Sequence, residues 1–231
     1  MTRISTGVEG LDKMLNGGLI PGRTYLVRGG PGSGKTILSM QFLIAGAKAG
    51  ENCIYITLEE PMDEIKEDME SLGIDLDAIE NIYTFDASPS GDSLFADSFF
   101  KNLELDIPGF KAALEEKVRE LKPSRIVVDP VTILELVSRS EAEYRRDMIS
   151  LLSLFRTHKT TTLLTSEKMS ISSEDYLVSG IIEYVEYEVR GKVLRGIKIK
   201  KMRGTKFDDS IRPYRITSKG IKVFSEESLF E

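Results

Sequence analysis

Residues 29–36 read Gly-Gly-Pro-Gly-Ser-Gly-Lys-Thr, and this stretch restricts the possible folds of the chain most sharply. Gly29, Gly32 and Gly34 permit a tight loop and keep side chains out of the way of converging backbone amides. Ahead of the loop, Thr24–Arg28 is an apolar run of strand composition. Behind it, Thr36–Ala49 carries Ile37, Met40, Leu43 and Ile44 at helical spacing, with Gly50 placed to end the helix. A glycine-rich turn from a strand into a helix N-terminus is a natural host for phosphate, because unpaired N–H groups and the helix dipole meet there. The spacing G-x-x-x-x-G-K-[ST] adds an ammonium for the β and γ oxygens, Lys35, and a hydroxyl for magnesium, Thr36. The expected nucleotide-binding segment is therefore Gly30, Pro31, Gly32, Ser33, Gly34, Lys35, Thr36 and Ile37, with ATP or ADP and Mg2+ as the ligands.

The rest of the chain repeats that strand-then-helix grammar, which predicts an α/β protein with a mainly parallel central sheet flanked by helices. Further strands are expected at Cys53–Leu58, Ile82–Phe85, Arg125–Val128 and Thr161–Thr165, and helices at Met62–Leu72, Phe110–Leu121 and Glu143–Phe155. After residue 180 the period changes to that of antiparallel hairpins at one sheet edge. The segments are Ile181–Val189, Val193–Lys200, Tyr214–Thr217 and Ile221–Phe224, the first two joined at Arg190-Gly191-Lys192. No repeat, low-complexity tract or linker interrupts the 231 residues, so residues 1–231 are expected to form one domain. Asp86–Gly109 is poorly patterned, and its Phe95, Phe99 and Phe100 suit a lid, a partner contact or a local cluster equally.

Composition narrows the setting. No run approaches the roughly 20 apolar residues of a membrane span, and the first residues lack a signal peptide's apolar stretch, so a cytoplasmic protein is expected. Cys53 stands alone in an apolar run and reads as a buried thiol, while His158 receives no role. A net charge of -6 argues against a nucleic-acid coat.

Two strand ends carry carboxylates where α/β proteins bind ligands. The strand ending at Asp129 supplies the expected second magnesium group. Glu59 and Glu60 follow a strand expected to neighbour the P-loop strand, where one of them can activate water; two acids ahead of a helix also suit its dipole as plain solvated charge. In the helix after them, Ile65, Met69 and Leu72 form the apolar stripe, and the acids between, Asp68 included, read as a solvated face.

With these pieces in order, the chain resembles the KaiC family of RecA-like P-loop NTPases. The resemblance is carried by Ile4-Ser-Thr-Gly-Val-Glu-Gly-Leu-Asp12, Gly17-Gly-Leu-Ile-Pro-Gly-Arg23, the Glu59-Glu60 pair, Asp86-Ala-Ser-Pro89 and Lys201-Met-Arg-Gly-Thr205. It implies a RecA-like fold and a homohexameric ring with ATP between subunits. It further implies Glu59 and Glu60 as catalytic carboxylates beside Lys35, and Ser71 near the nucleotide. Lys201 and Arg203 are implied to reach a neighbour's phosphates, with Arg203 catalytic, and Met202, Thr205, Thr217 and Ser218 to lie near base or ribose. Read without the resemblance, Lys198, Lys200, Lys201 and Arg203 can equally be cations that guard an edge strand. In the family's two-domain clock members the second copy phosphorylates an adjacent serine and threonine; the comparable stretch here reads Glu174-Asp175-Tyr176, so self-phosphorylation at that pair is not expected.

Three functions compete on this reading. The first is an ATPase whose nucleotide state controls assembly or an unidentified protein partner. The second is a nucleotide-gated signalling subunit with little turnover. The third is a recombinase-like DNA-binding protein, which the chain argues against because the loops Thr132–Ser140 and Lys168–Gly180 are not basic.

Overall fold

The computed structural model describes residues 2–88, 106–189 and 191–230. Phe95, Phe99, Phe100, Pro89 and Arg190 lie outside the described residues. Where strands were expected, strands form: β1 (Thr24–Arg28), β2 (Cys53–Thr57), β3 (Ile82–Asp86), β4 (Arg125–Asp129) and β5 (Thr161–Ser166). β6 (Gly180–Val189), β7 (Lys192–Met202), β8 (Arg212–Thr217) and β9 (Gly220–Val223) follow. The long helices are α2 (Lys35–Lys48), α3 (Met62–Ser71), α4 (Ile107–Leu121) and α6 (Glu141–Thr157).

Several bounds shift for local reasons. α4 starts at Ile107 rather than Phe110 because Asp106 accepts from the Gly109 N–H at 2.6 Å and Pro108 suits the first turn. α6 starts at Glu141 because the Ser140 hydroxyl accepts from the Glu143 N–H at 3.2 Å. Three short helices were not expected: α1 (Glu9–Met14), α5 (Thr132–Leu136) and α7 (Ser173–Leu177). They are too short to show a period, although the capping box of Ser172 with Asp175 marks the start of α7.

The strands form one sheet in the order β3-β2-β4-β5-β1-β6-β7-β8-β9. Neighbours from β3 through β6 are parallel, and β7, β8 and β9 extend the β6 side in antiparallel fashion, as expected. One expectation needs correction: β2, which leads to Glu59 and Glu60, does not neighbour the P-loop strand β1, because β4 and β5 lie between them. Both faces of these strands are buried, so their sequences record burial but not which strand lies alongside.

Every position of the central strands is buried, and successive side chains alternate between the two faces of the sheet. Tyr25, Val27, Tyr55, Val127 and Leu163 face one core, which α2 covers with Leu38, Phe42 and Leu43. Leu26, Ile54, Ile56, Ile126, Val128 and Leu164 face the other, packed by α4 and α6 through Phe110, Leu114, Met148 and Leu151. α2 is buried on more than the expected single face: Leu38, Met40, Phe42 and Leu43 are all at 0–1% exposure, whereas Ile37 and Ile44 are partly buried. β9 packs against α2 as well, with Gln41 of the helix bonded to Ile221, so the helix is covered by more than the central strands. Among the described residues no helix is long and apolar enough to cross a membrane.

Candidate functional site

β1 ends at Arg28, the loop turns with Gly32 at φ 69° and Gly34 at φ 95°, and α2 begins at Lys35 with no side chain capping it. The first-turn N–H groups of α2 thus have no side-chain acceptor, which leaves them to a ligand. A Cβ built on Gly30 or Gly32 would meet nothing within 4 Å, so the loop's outer side is open. The Lys35 ammonium folds back onto its own loop, donating to the carbonyls of Gly29 at 2.9 Å and Gly30 at 3.1 Å, with Glu167 at 3.5 Å.

Asp129 is held from three sides. Thr36 Oγ1 donates to Oδ2 at 2.9 Å, Tyr55 Oη donates to the same oxygen at 2.8 Å, and Thr165 Oγ1 donates to Oδ1. Burial, then the Asp129 charge, pushes the Tyr55 hydroxyl well above its ordinary value, which keeps it a donor. Among the described residues no three His, Cys, Asp or Glu side chains converge as a metal cage. The Thr36–Asp129 pair instead suits magnesium, which keeps several waters and binds through one or two protein groups plus phosphate oxygens.

Glu59 is exposed and Glu60 partly buried at the end of β2. Thr57 Oγ1 donates to the Glu60 carbonyl at 2.5 Å, and Asp86, from the neighbouring β3, accepts from the Met62 N–H at 2.9 Å, so the turn carrying both glutamates is tied at each end. Partial burial raises the Glu60 carboxyl above the usual carboxylate range, and the nearby charges of Asp68, Asp129, Glu64 and Glu59 add to the effect. A carboxylate so placed binds a proton more readily than an ordinary glutamate, which suits a general base.

These groups face one cavity of about 470 Å³, within the range of small-molecule sites. Pro31, Gly32, Gly34, Lys35, Thr36 and Ile37 line it together with Glu59, Glu60, Asp129 and Ser71. Residues that sequence reasoning did not place there include Asp68, Ile65 and Met69 of α3, Leu72 just beyond it, Tyr55 and Thr57 of β2, Pro130, Ile216 of β8, and Glu167. Ile65 and Met69 of the α3 stripe are buried in the core at 2% exposure, and the same side chains border the cavity. Glu167 directly follows β5, and the strand-end logic that selected Asp129 would have found it.

The remaining expected residues lie elsewhere in the chain. Ser33 is buried, and its carbonyl faces the interior. Thr217 Oγ1 donates to the Gly220 carbonyl inside the β8–β9 turn, and the Ser218 carbonyl lies near Gly73 just beyond α3, so Ile216 rather than either of them lines the cavity. Met202 is 6% exposed with its thioether against Gly180. Thr205 bonds Arg3 and the Lys206 carbonyl. Lys201 donates to the carbonyls of Asp175 at 2.5 Å and Val178 at 2.8 Å, and Arg203 to that of Tyr176 at 2.8 Å. Among the described residues neither pairs with a carboxylate side chain. Burial, then the Arg203 charge, holds Lys201 below its ordinary value. Lys198 pairs with Glu183 across the β6–β7 ladder at 3.0 Å, and β8 pairs with β7 only through Gly196 and Ile197, so the part of β7 that carries Lys198 has β6 alone beside it in the ladder.

Comparison with known proteins agrees with this geometry. The family model described as an ATPase, KaiC, matches residues 4–228. A UPF0273 protein of Thermotoga maritima is 32% identical, over 97% of this chain and 97% of its own length. Another from Pyrococcus horikoshii is 32% identical over 98% of this chain and 96% of its own. The circadian clock protein KaiC3 of Synechocystis is 31% identical over 94% of this chain but only 44% of its own length.

Proposed function

The chain belongs to the KaiC ATPase family, and from that premise we propose that it binds Mg2+-ATP in the cavity above α2, hydrolyses it, and completes the site with Lys201 and Arg203 of a neighbouring copy in a ring. The observation that carries this is a charge mismatch. Around the cavity stand Glu59, Glu60, Asp68, Asp129 and Glu167, against Lys35 as the single cation lining it among the described residues. A triphosphate entering that field needs positive charge from outside the chain's own cavity. Magnesium, when bound, supplies part of it. Lys201 and Arg203 supply the rest if they come from a second copy, since among the described residues of their own chain their side chains bond only to backbone carbonyls.

In this reading Lys35 leaves the Gly29 and Gly30 carbonyls for the β and γ oxygens, and the open N–H groups of the loop and first helical turn receive the phosphates. Thr36 and Asp129 hold the metal side. Glu60 accepts a proton from the attacking water while the new oxygen–phosphorus bond forms and the bond to the β-side bridging oxygen breaks; Glu59, more exposed, assists or replaces it. Arg203 of the neighbour meets the charge that develops. Nucleotide state then controls assembly or partner binding. One continuous sheet spanning β1–β9 supports treating residues 1–231 as a single ATPase domain.

The test uses two dead variants. Lys35→Ala and Arg203→Ala should each abolish turnover, with the arginine accounting for roughly 10³-fold or more. Rings mixed from both, shown mixed by native mass spectrometry, should regain activity, because some interfaces pair an intact loop with an intact arginine. Mixed rings as inactive as either parent refute sharing of the site.

A further inference from the structure

The Tyr214 hydroxyl donates to the Ser33 carbonyl at 2.9 Å in a buried contact that joins β8 to the phosphate-binding loop. A peptide unit is planar and trans, so the Ser33 C=O and the Gly34 N–H, which belong to one unit, point in opposite directions. The carbonyl points inward at Tyr214; Gly34 lines the cavity on the other side. We propose that Tyr214 is a positioning residue of the nucleotide site, which by holding the Ser33 carbonyl aims the Gly34 N–H at bound phosphate. The inference rests on the nucleotide-binding reading above.

An anchor is needed here because of the glycine itself. Gly34 sits at φ 95°, and a Cβ there would lie 2.7 Å from Ile221 Cδ1, so only glycine fits. Glycine populates both signs of φ about equally, which leaves the Ser33–Gly34 peptide free to flip and present its carbonyl, a repulsive group, to phosphate. A hydrogen bond on the far side removes that freedom without obstructing the cavity.

Tyr214 is itself well fixed. Its ring meets Tyr184 edge-on at 4.8 Å between centroids, and β8 pairs with β9 through Tyr214 and Val223. The chain's only glutamine, Gln41 in α2, latches that hairpin, accepting from the Ile221 N–H at 2.7 Å and donating to the Ile221 carbonyl at 3.3 Å. Burial pushes the Tyr214 hydroxyl up to about 12, so it remains a donor throughout the neutral range.

Tyr184 provides an internal control. Its ring meets that of Tyr214, and its hydroxyl is buried with no hydrogen-bond partner among the described residues. Tyr214→Phe and Tyr184→Phe therefore delete the same atom from adjacent buried rings, and only the first breaks the tie to the loop. Two quantities are measured on the full chain: the MgADP dissociation constant by calorimetry, and amide exchange of residues 30–37 at saturating MgADP, where weaker affinity no longer matters. Tyr214→Phe should weaken MgADP roughly three- to tenfold and speed exchange in the saturated loop, while Tyr184→Phe matches the parent in both. If the two variants behave alike, Tyr214 has no positioning role. If the parent itself does not bind MgADP, the nucleotide reading falls, and this inference with it.

Discussion

Asp129 is the residue whose replacement should separate structure from metal binding. Its two oxygens accept from Tyr55, Thr165 and Thr36, and the first two donors are at 0–1% exposure. In Asp129→Ala both buried hydroxyls lose their acceptor. Each such orphan costs roughly 1–3 kcal/mol, so the variant should lose about 2–6 kcal/mol. That is a large share of the roughly 5–15 kcal/mol that holds an ordinary domain together. Asp129→Asn keeps an amide oxygen to accept on one side and lets a hydroxyl rotate on the other, so about 1–2 kcal/mol is expected, with loss of the metal-side charge. Urea unfolding of both variants without nucleotide measures the first effect. The second is read from the added stability conferred by ADP with magnesium against ADP with chelator, which should differ in the parent and coincide in Asp129→Asn. An alanine variant within about 1 kcal/mol of the parent would show that the three-hydroxyl cradle does not hold Asp129. An asparagine variant with an undiminished magnesium increment would remove the residue from the metal site.

Glu60→Gln should retain nucleotide yet hydrolyse it about 10²-fold more slowly in a phosphate-release assay, with a smaller loss for Glu59→Gln; parent-like turnover in both single variants and the double variant places the base elsewhere. Because burial and neighbouring acids raise the Glu60 carboxyl, and the base works only when deprotonated, kcat/KM should rise with pH through a midpoint above the usual carboxylate range, and that limb should vanish in Glu60→Gln. The same shift has an opposite sign for stability. The folded state holds this proton more tightly than the unfolded one, so Glu60 costs the nucleotide-free protein stability as pH rises past the ordinary glutamate value. Glu60→Gln should then raise the neutral-pH urea midpoint relative to the parent, with the difference disappearing at acid pH. Glu167→Gln removes a carboxylate 3.5 Å from Lys35, and MgATP affinity should improve by a few-fold, about what one partly exposed charge contributes; weaker binding would mean that Glu167 itself serves the ligand.

Much of this site was legible in the chain because its chemistry is local. The turn from β1 into α2 needs glycine at positions 32 and 34, a lysine and a threonine on the helix's first turn, and nothing distant, so one octapeptide announced it. Asp129 and Glu60 were readable for a similar reason, since an apolar run that stops at a carboxylate places that carboxylate at the sheet's ligand-binding edge. Asp68 is exposed and Ile65 buried, as their positions on the helix imply, but that both also line the cavity was not legible, because a helix face turned toward a cavity has the same period as one turned toward a core or toward water.

Sequence alone determined the alternating elements, the apolar strands of the core, the glycine-rich loop and the strand-end acids. Each follows from backbone preference or hydrophobic period within about a dozen residues. Tertiary structure decided what those elements stand beside: β4 and β5 between β1 and β2, Glu167 next to Lys35, Ile216 in the cavity wall, and Tyr214 under Ser33. No local preference encodes such pairings. A strand buried on both faces accepts several neighbours, and the choice is made only when helices and hairpins pack over the whole sheet at once, bringing a tyrosine 181 positions away onto one carbonyl of the loop.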